Sequence, residues 1–221
     1  MDKLSQPMQD YLKTIYLLHE HAGKGVSTNA IAAALSVTAA SVTGMVKKLT
    51  EMKLVRHTPY QAVELTKAGE KIALEVVRHH RLLELFLTEA LGYSWDEVHA
   101  EADELEHVIS EEFEDRIAAR LGHPAVDPHG DPIPTKEGII ATVRQQSLVD
   151  LEPGQSARII RVTDGNPEML RYAAGLGLRP PACVTLIKSE PFGGSLWIKV
   201  CNVEHAIGRE LAAQIFVTMD E

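Results

Sequence analysis

Two short helical segments separated by only two residues, then a pair of β-prone runs, constrain this chain more than any other feature. Ser27 heads STNAIAAAL and Thr38 heads TAASVTGMVKKLTEM. A Ser or Thr placed before an apolar-periodic run accepts hydrogen bonds from the orphan amides of the first turn, so each marks a helix start. Only Ser36-Val37 joins the two, the connection of a helix-turn-helix. Val42, Met45, Val46 and Leu49 share one stripe of the second helix and predict its buried face. In LVRHTPYQAVELT, two β-like runs flank Thr58-Pro59-Tyr60-Gln61, as the strands of a hairpin do. Upstream, Met8, Leu12, Ile15 and Tyr16 give residues 7–21 helical spacing, and Gly23-Lys24-Gly25 breaks that helix. The order predicts a winged helix-turn-helix over residues 1–73. A plain core helix would explain the stripe but not the order.

Such a module reads DNA with the start of its second helix. Those residues here are Thr38, Ala39, Ala40, Ser41 and Thr43, with Lys47 and Lys48 two turns on. The first five are small, and none is an Arg, Asn or Gln that makes a bidentate pair with a base. The expectation is modest direct readout, with the two lysines on phosphates.

A net charge of −9 seems to argue against nucleic acid. Its distribution reverses the argument. Residues 1–73 hold 9 Lys and Arg against 6 Asp and Glu, whereas residues 74–133 hold 4 against 15. A basic module suited to phosphates precedes an acidic one suited to cations. The N-terminus has no signal-peptide pattern, and no apolar run approaches membrane-spanning length. Cys183 and Cys201 form neither a disulfide framework nor a zinc knuckle. These features predict a cytoplasmic protein with no membrane partner.

Residues 74–140 read as a helical domain. Helical spacing runs from Lys67 to Leu91, and Gly92 ends it. Ser94 then caps SWDEVHAEADELEHVISEEFEDRIAARL, read as one helix that stops at Gly122-His123-Pro124. HPAVDPHGDPIP follows as an ordered loop or linker. On that helix His99, Asp103, Glu106 and His107 stand at i, i+4, i+7 and i+8 and share a stripe beside the apolar one. His80 and Glu84 stand at i and i+4 on the preceding helix. Imidazoles and carboxylates at the border of a core can converge on a cation. The bland alternatives are a solvated acidic face, expected for Glu101, Glu104, Glu111, Glu112, Glu114 and Asp115, or histidines bonded to carboxylates without metal. Residues 141–221 comprise a linker and a β-rich segment. ARIIRVT, ACVTLIK and SLWIKVC predict strands, with PEMLRYAAGLG as one inserted helix of a small β-barrel. The fold class is mainly α with a small β domain.

DYLKTIY, RHHRLLE, VHAEADELEHV and HGDPIP occur in that order. They resemble the diphtheria toxin repressor family of iron- and manganese-dependent regulators. The resemblance covers the whole chain and implies a winged helix, a helical dimerisation domain and a C-terminal SH3-like β-barrel. It implies a primary metal site at Asp10, Asp103, Glu106 and His107, and an ancillary site at His80, Glu84 and His99, with Glu168 as a further ligand from the barrel. Iron-type members carry Met and Cys where this chain has Asp10 and Asp103. Ligation by oxygen and nitrogen favours Mn²⁺ first and Fe²⁺ second, while Zn²⁺ and Co²⁺ compete in vitro. Manganese-type members carry a second carboxylate one turn into the first helix, where this chain has Lys13. The implied protein is a homodimeric repressor that binds pseudo-palindromic operators of metal-uptake genes when metal is plentiful.

Two other classes remain open. A winged-helix regulator of an organic ligand would ignore chelators. A helical di-metal carboxylate enzyme would carry Glu-x-x-His on each of two helices. Glu104-Leu-Glu-His107 is one such spacing, and the His80 helix offers no partner. No Ser/His/Asp arrangement or phosphate-binding Gly loop points to catalytic residues.

Overall fold

The computed structural model describes residues 4–22, 25–58, 62–142, 144–163 and 165–219. It divides into two compact units. The first comprises Met1–His80, Leu105–Ser110 and Pro134–Ile139, and the second comprises Arg81–Glu104, Glu111–Ile133 and Ile140–Glu221.

The first unit opens with α1 (Gln6–Ala22), α2 (Thr28–Ala34) and α3 (Ala39–Glu51). The side chains of Ser27 and Thr38 cap α2 and α3 by accepting from the amides of Ala30 and Ser41. Leu12, Ile15, Ile31, Val42, Val46 and Leu49 are buried at 0–1% exposure and lock the three helices together. Fully burying an aliphatic side chain contributes about 1.5–3 kcal/mol. β1 (Val55–Arg56) pairs antiparallel with β2 (Glu64–Leu65), and Val26 bridges Val63 beside them. The expected turn at residues 59–61 lies outside the described residues, as do Gly23 and Lys24. Helix α4 (Lys67–Leu91) follows. Gly69 is required at its start, because a β-carbon there would run into the carbonyl of Leu54.

The single helix expected over 94–121 is two helices, α5 (Val98–Leu105) and α6 (Glu111–Arg120). Glu106 and His107 therefore lie in a turn rather than on a continuous stripe. The cause is non-local: His79 Nδ1 lies 3.0 Å from the Glu106 carbonyl and takes the place of an i+4 amide. Val108-Ile109-Ser110, poor helix formers, occupy the break. Glu114 departs from the expected solvated face and is 2% exposed.

In the second unit six antiparallel strands follow the order β3-β8-β4-β5-β6-β7. They are β3 (Gln146–Ser147), β4 (Ser156–Val162), β5 (Cys183–Ser189), β6 (Leu196–Val200), β7 (Val203–Ile207) and β8 (Ile215–Thr218). Register shifts in β4 and β5 bend the sheet, as bulges do. It encloses Ile159, Leu186, Leu196, Ile198 and Val217, all at 0% exposure. The expected helix is α7 (Pro167–Gly175), and a short second one, α8 (Arg209–Ala213), was not anticipated. Among the described residues, no single helix is long and apolar enough to cross a membrane.

The loop Asp127–Asp131 belongs to this unit and is ordered. Asp127 Oδ1 accepts from the amides of His129 and Asp131, at 2.8 and 3.0 Å. Gly130 adopts φ +92°, and a β-carbon there would strike the Ile160 carbonyl.

Candidate metal centre and nucleic-acid interface

Helix α1 and the turn after Leu105 build a cluster inside the first unit. Asp10, Glu106 and His107 each offer a ligand atom within 4.8 Å of the other two. His107 Nε2 lies 2.7 Å from Asp10 Oδ1 and 3.2 Å from Glu106 Oε1. Its other nitrogen, Nδ1, lies 2.6 Å from Gln9 Oε1. An amide oxygen only accepts, so Nδ1 donates to Gln9, which leaves Nε2 to face the two carboxylates. Fixing one ring nitrogen so that the other faces an ion is how proteins orient a ligating histidine. The His107 side chain is 4% exposed and that of Glu106 is 1%. Burial pushes the Asp10 carboxyl upward, opposed by the His107 charge.

The other Glu106 oxygen faces a resident cation. Lys13 Nζ donates to Glu106 Oε2 at 2.7 Å. His80 Nδ1 lies 2.6 Å from the same oxygen and 3.0 Å from Nζ. Glu106 thus divides the cluster, with Asp10 and His107 on Oε1 and Lys13 and His80 on Oε2. The donors on the Oε1 side are two carboxylates and one imidazole, with no sulfur. That set fits a hard or borderline divalent ion.

The remaining expected ligands fall in the second unit. Glu84 Oε1 lies 3.1 Å from His99 Nδ1, and His99 Nε2 lies 3.6 Å from Asp103 Oδ2. Glu84 is fully buried, whereas the side chains of His99 and Asp103 are 37% and 48% exposed. Glu168 sits exposed in the first turn of α7, and no cluster of metal-binding side chains among the described residues includes it. The structure adds a group that the sequence reading did not single out. Glu84, Asp127 and His129 converge within 4.8 Å, all buried. Asp127-Pro-His129 was visible inside HPAVDPHGDPIP, but a short loop with no periodicity gives no hint that Glu84 lies opposite.

The expected DNA-reading residues Thr38, Ala39, Ala40, Ser41, Thr43, Lys47 and Lys48 are all exposed, while Val42, Val46 and Leu49 hold the opposite face. Thr43 Oγ1 donates back to the Ala39 carbonyl at 2.9 Å. Thr38 Oγ1 and Ser41 Oγ are 2.9 Å apart. These hydroxyls are already engaged, which further limits base-specific hydrogen bonding from this helix.

Three family models match successive stretches of the chain. Residues 3–63 match the family described as iron dependent repressor, N-terminal DNA binding domain. Residues 66–135 match iron dependent repressor, metal binding and dimerisation domain, and residues 146–219 match the FeoA domain. The iron-dependent repressor IdeR of Mycobacterium tuberculosis is 35% identical over 88% of this chain and 89% of its own length. The diphtheria toxin repressor of Corynebacterium jeikeium is 28% identical over 86% and 88%. A solved structure described as a manganese-dependent transcriptional repressor complex with manganese superposes with a TM-score of 0.90 at 38% identity. It covers 96% of this chain and 99% of that one. A structure of IdeR from T. acidophilum gives 0.79 at 28% identity, with full coverage of both chains.

Proposed function

Because this chain belongs to the diphtheria toxin repressor family of iron- and manganese-dependent transcriptional repressors, we propose that a divalent ion held by Asp10, Glu106 and His107 switches on its operator binding. Mn²⁺ is the first candidate and Fe²⁺ the second, since two carboxylates and an imidazole replace any sulfur ligand. The observation that carries the reading is the placement of His107 Nε2 against both Asp10 and Glu106.

Asp10 lies on α1, whose packing seats α2 and α3. Without a divalent ion the carboxylates at Asp10 and Glu106 repel one another. With it they are drawn together, and α1 is tied to the turn at Glu106–His107. Fixing α1 fixes the recognition helix. In the homodimer, two such helices must sit about one DNA turn, roughly 34 Å, apart to meet a pseudo-palindromic operator. Metal and DNA binding are then linked, and each raises affinity for the other. Operators of metal-uptake genes are the natural targets of a repressor activated by metal.

Lys13 sets the charge of this centre. Its ammonium on Glu106 Oε2 supplies one positive charge beside the ion. Lys13→Ala is expected to raise Mn²⁺ affinity on the order of tenfold by removing that like charge. Isothermal titration with Mn²⁺ checks it, and unchanged or weaker affinity contradicts it.

Lys47 is assigned to phosphate rather than to a base. Lys47→Ala should weaken operator and non-operator DNA alike, and should lower the slope of log K against log salt by about 0.9. Fluorescence anisotropy over a salt series measures both quantities. Loss confined to the operator would instead make Lys47 a base reader. The direct test of the proposal itself is the metal stoichiometry and Mn²⁺, Fe²⁺ and Zn²⁺ affinity of wild type against Asp10→Asn, which should weaken all three.

A further inference from the structure

We propose that Gly44 is a specificity-determining residue for operator binding, the point where the bare backbone of α3 meets base edges in the major groove and where a side chain would hold the duplex off. This role follows from DNA binding by residues 3–63, which match the family's DNA-binding domain. It is independent of which residues hold the metal.

Glycine is an unfavourable choice inside a helix. It loses more backbone freedom on folding than any other residue, and Ala serves the helix better. Among the described residues, three glycines lie within α-helices: Gly44, Gly69 and Gly175. Gly69 makes room for the Leu54 carbonyl. Gly175 is the last residue of α7, at the helix end rather than inside it. Gly44 has neither reason. It is exposed and sits near the middle of the 13 residues of α3. Its φ is not positive. A β-carbon built on it would meet nothing within 4 Å. Neither the backbone nor the packing of this chain asks for glycine there, so the demand comes from something that the helix touches.

The neighbours of Gly44 say what that is. Ala40 and Ser41 stand one turn before it on the helix surface, and Lys47 and Lys48 one turn after it, all exposed. Thr43 turns its hydroxyl back onto the Ala39 carbonyl at 2.9 Å, and the hydroxyls of Thr38 and Ser41 lie 2.9 Å apart. The outer face of α3 is therefore shallow from Thr38 to Gly44 and cationic beyond it. The major groove admits a helix, with phosphates along its rims and base edges on its floor. Lysines on the rim leave the shallow part of the face to the floor. No side chain there is long enough to span a gap to a base, so the helix itself must come close, and Gly44 is the lowest point of that face.

Gly44→Ala in the full-length protein separates a demand of the fold from a demand of the DNA. The variant should unfold at a higher denaturant midpoint than wild type, because Ala is the better helix former and nothing opposes its methyl group. Its operator affinity should nevertheless fall about tenfold, the scale of one mismatched base pair, with little change on non-operator duplex. Gly44→Leu, also a good helix former, should lose more. Fluorescence anisotropy on both duplexes reads the affinities, at saturating Mn²⁺ and again in chelator. Variant and wild type are compared under one condition at a time. Failure of the metal centre proposed above would instead show as indifference to chelator in both proteins. Operator affinity at or above that of wild type in Gly44→Ala would overturn the proposal. Equal loss on operator and non-operator DNA would overturn it too, by placing the approach at the phosphates. A lowered denaturant midpoint would do the same, by showing that the fold itself requires the glycine.

Discussion

In a His107→Ala chain, Mn²⁺ is expected to lose its hold on the Asp10 centre and with it the ability to promote operator binding. His107 contributes an imidazole on the Oε1 side of Glu106, from a side chain 4% exposed and oriented by Gln9. Even partners that merely orient a ligating residue are worth about 10- to 100-fold in metal affinity, so loss of the ligand itself should cost on the order of 100-fold or more. The coupling should vanish as well. Allosteric coupling of about 1–3 kcal/mol corresponds to a 5- to 150-fold gain in DNA affinity with metal. The variant should bind operator with the weak, metal-independent affinity of the chelated wild type. Paired Mn²⁺ and operator titrations measure both effects. Full stimulation at a Mn²⁺ concentration near that of wild type would remove His107 from the centre.

Gly130→Ala should produce a large loss of stability from a single methyl group. The residue has φ +92° and its missing side chain leaves room for the Ile160 carbonyl. The left-handed backbone costs an L-residue roughly 1–2 kcal/mol, and forced overlap in a packed region costs roughly 1–3 kcal/mol more. Together they predict a loss of about 2–5 kcal/mol, read from the denaturant midpoint. Because Gly130 lies between His129 and Asp131, the variant should also disturb the loop that carries Asp127. A change below about 1 kcal/mol would mean that the loop relaxes away from β4 without penalty.

The parts of the molecule governed by local chemistry were legible in the sequence. Ser27 and Thr38 announce the starts of two helices, and both side chains do cap them. The stripe Val42, Val46, Leu49 is buried because helical periodicity leaves it no other face. The family resemblance agrees with the matched domains and with the superposed repressor structures.

What was not legible depends on partners distant in sequence. The helix expected through His107 breaks because His79, 27 residues earlier, lies on the Glu106 carbonyl. Periodicity carries no information about such a contact. Nor does periodicity show that Lys13 pairs with Glu106. Glu114 looks like one more solvated acid in a run of them, yet it is buried. Asp127 and His129 stood in plain view in a loop, but only the fold sets them opposite Glu84.

If metal at Asp10, Glu106 and His107 drives DNA binding, operator affinity must follow the metal. Operator affinity measured by fluorescence anisotropy, with Mn²⁺ added, chelated and added again, tests it most directly. In wild type, affinity should rise with Mn²⁺, fall on chelation and return on re-addition, and in Asp10→Asn it should stay low throughout. Affinity indifferent to chelator, or an Asp10→Asn protein that responds like wild type, would contradict it.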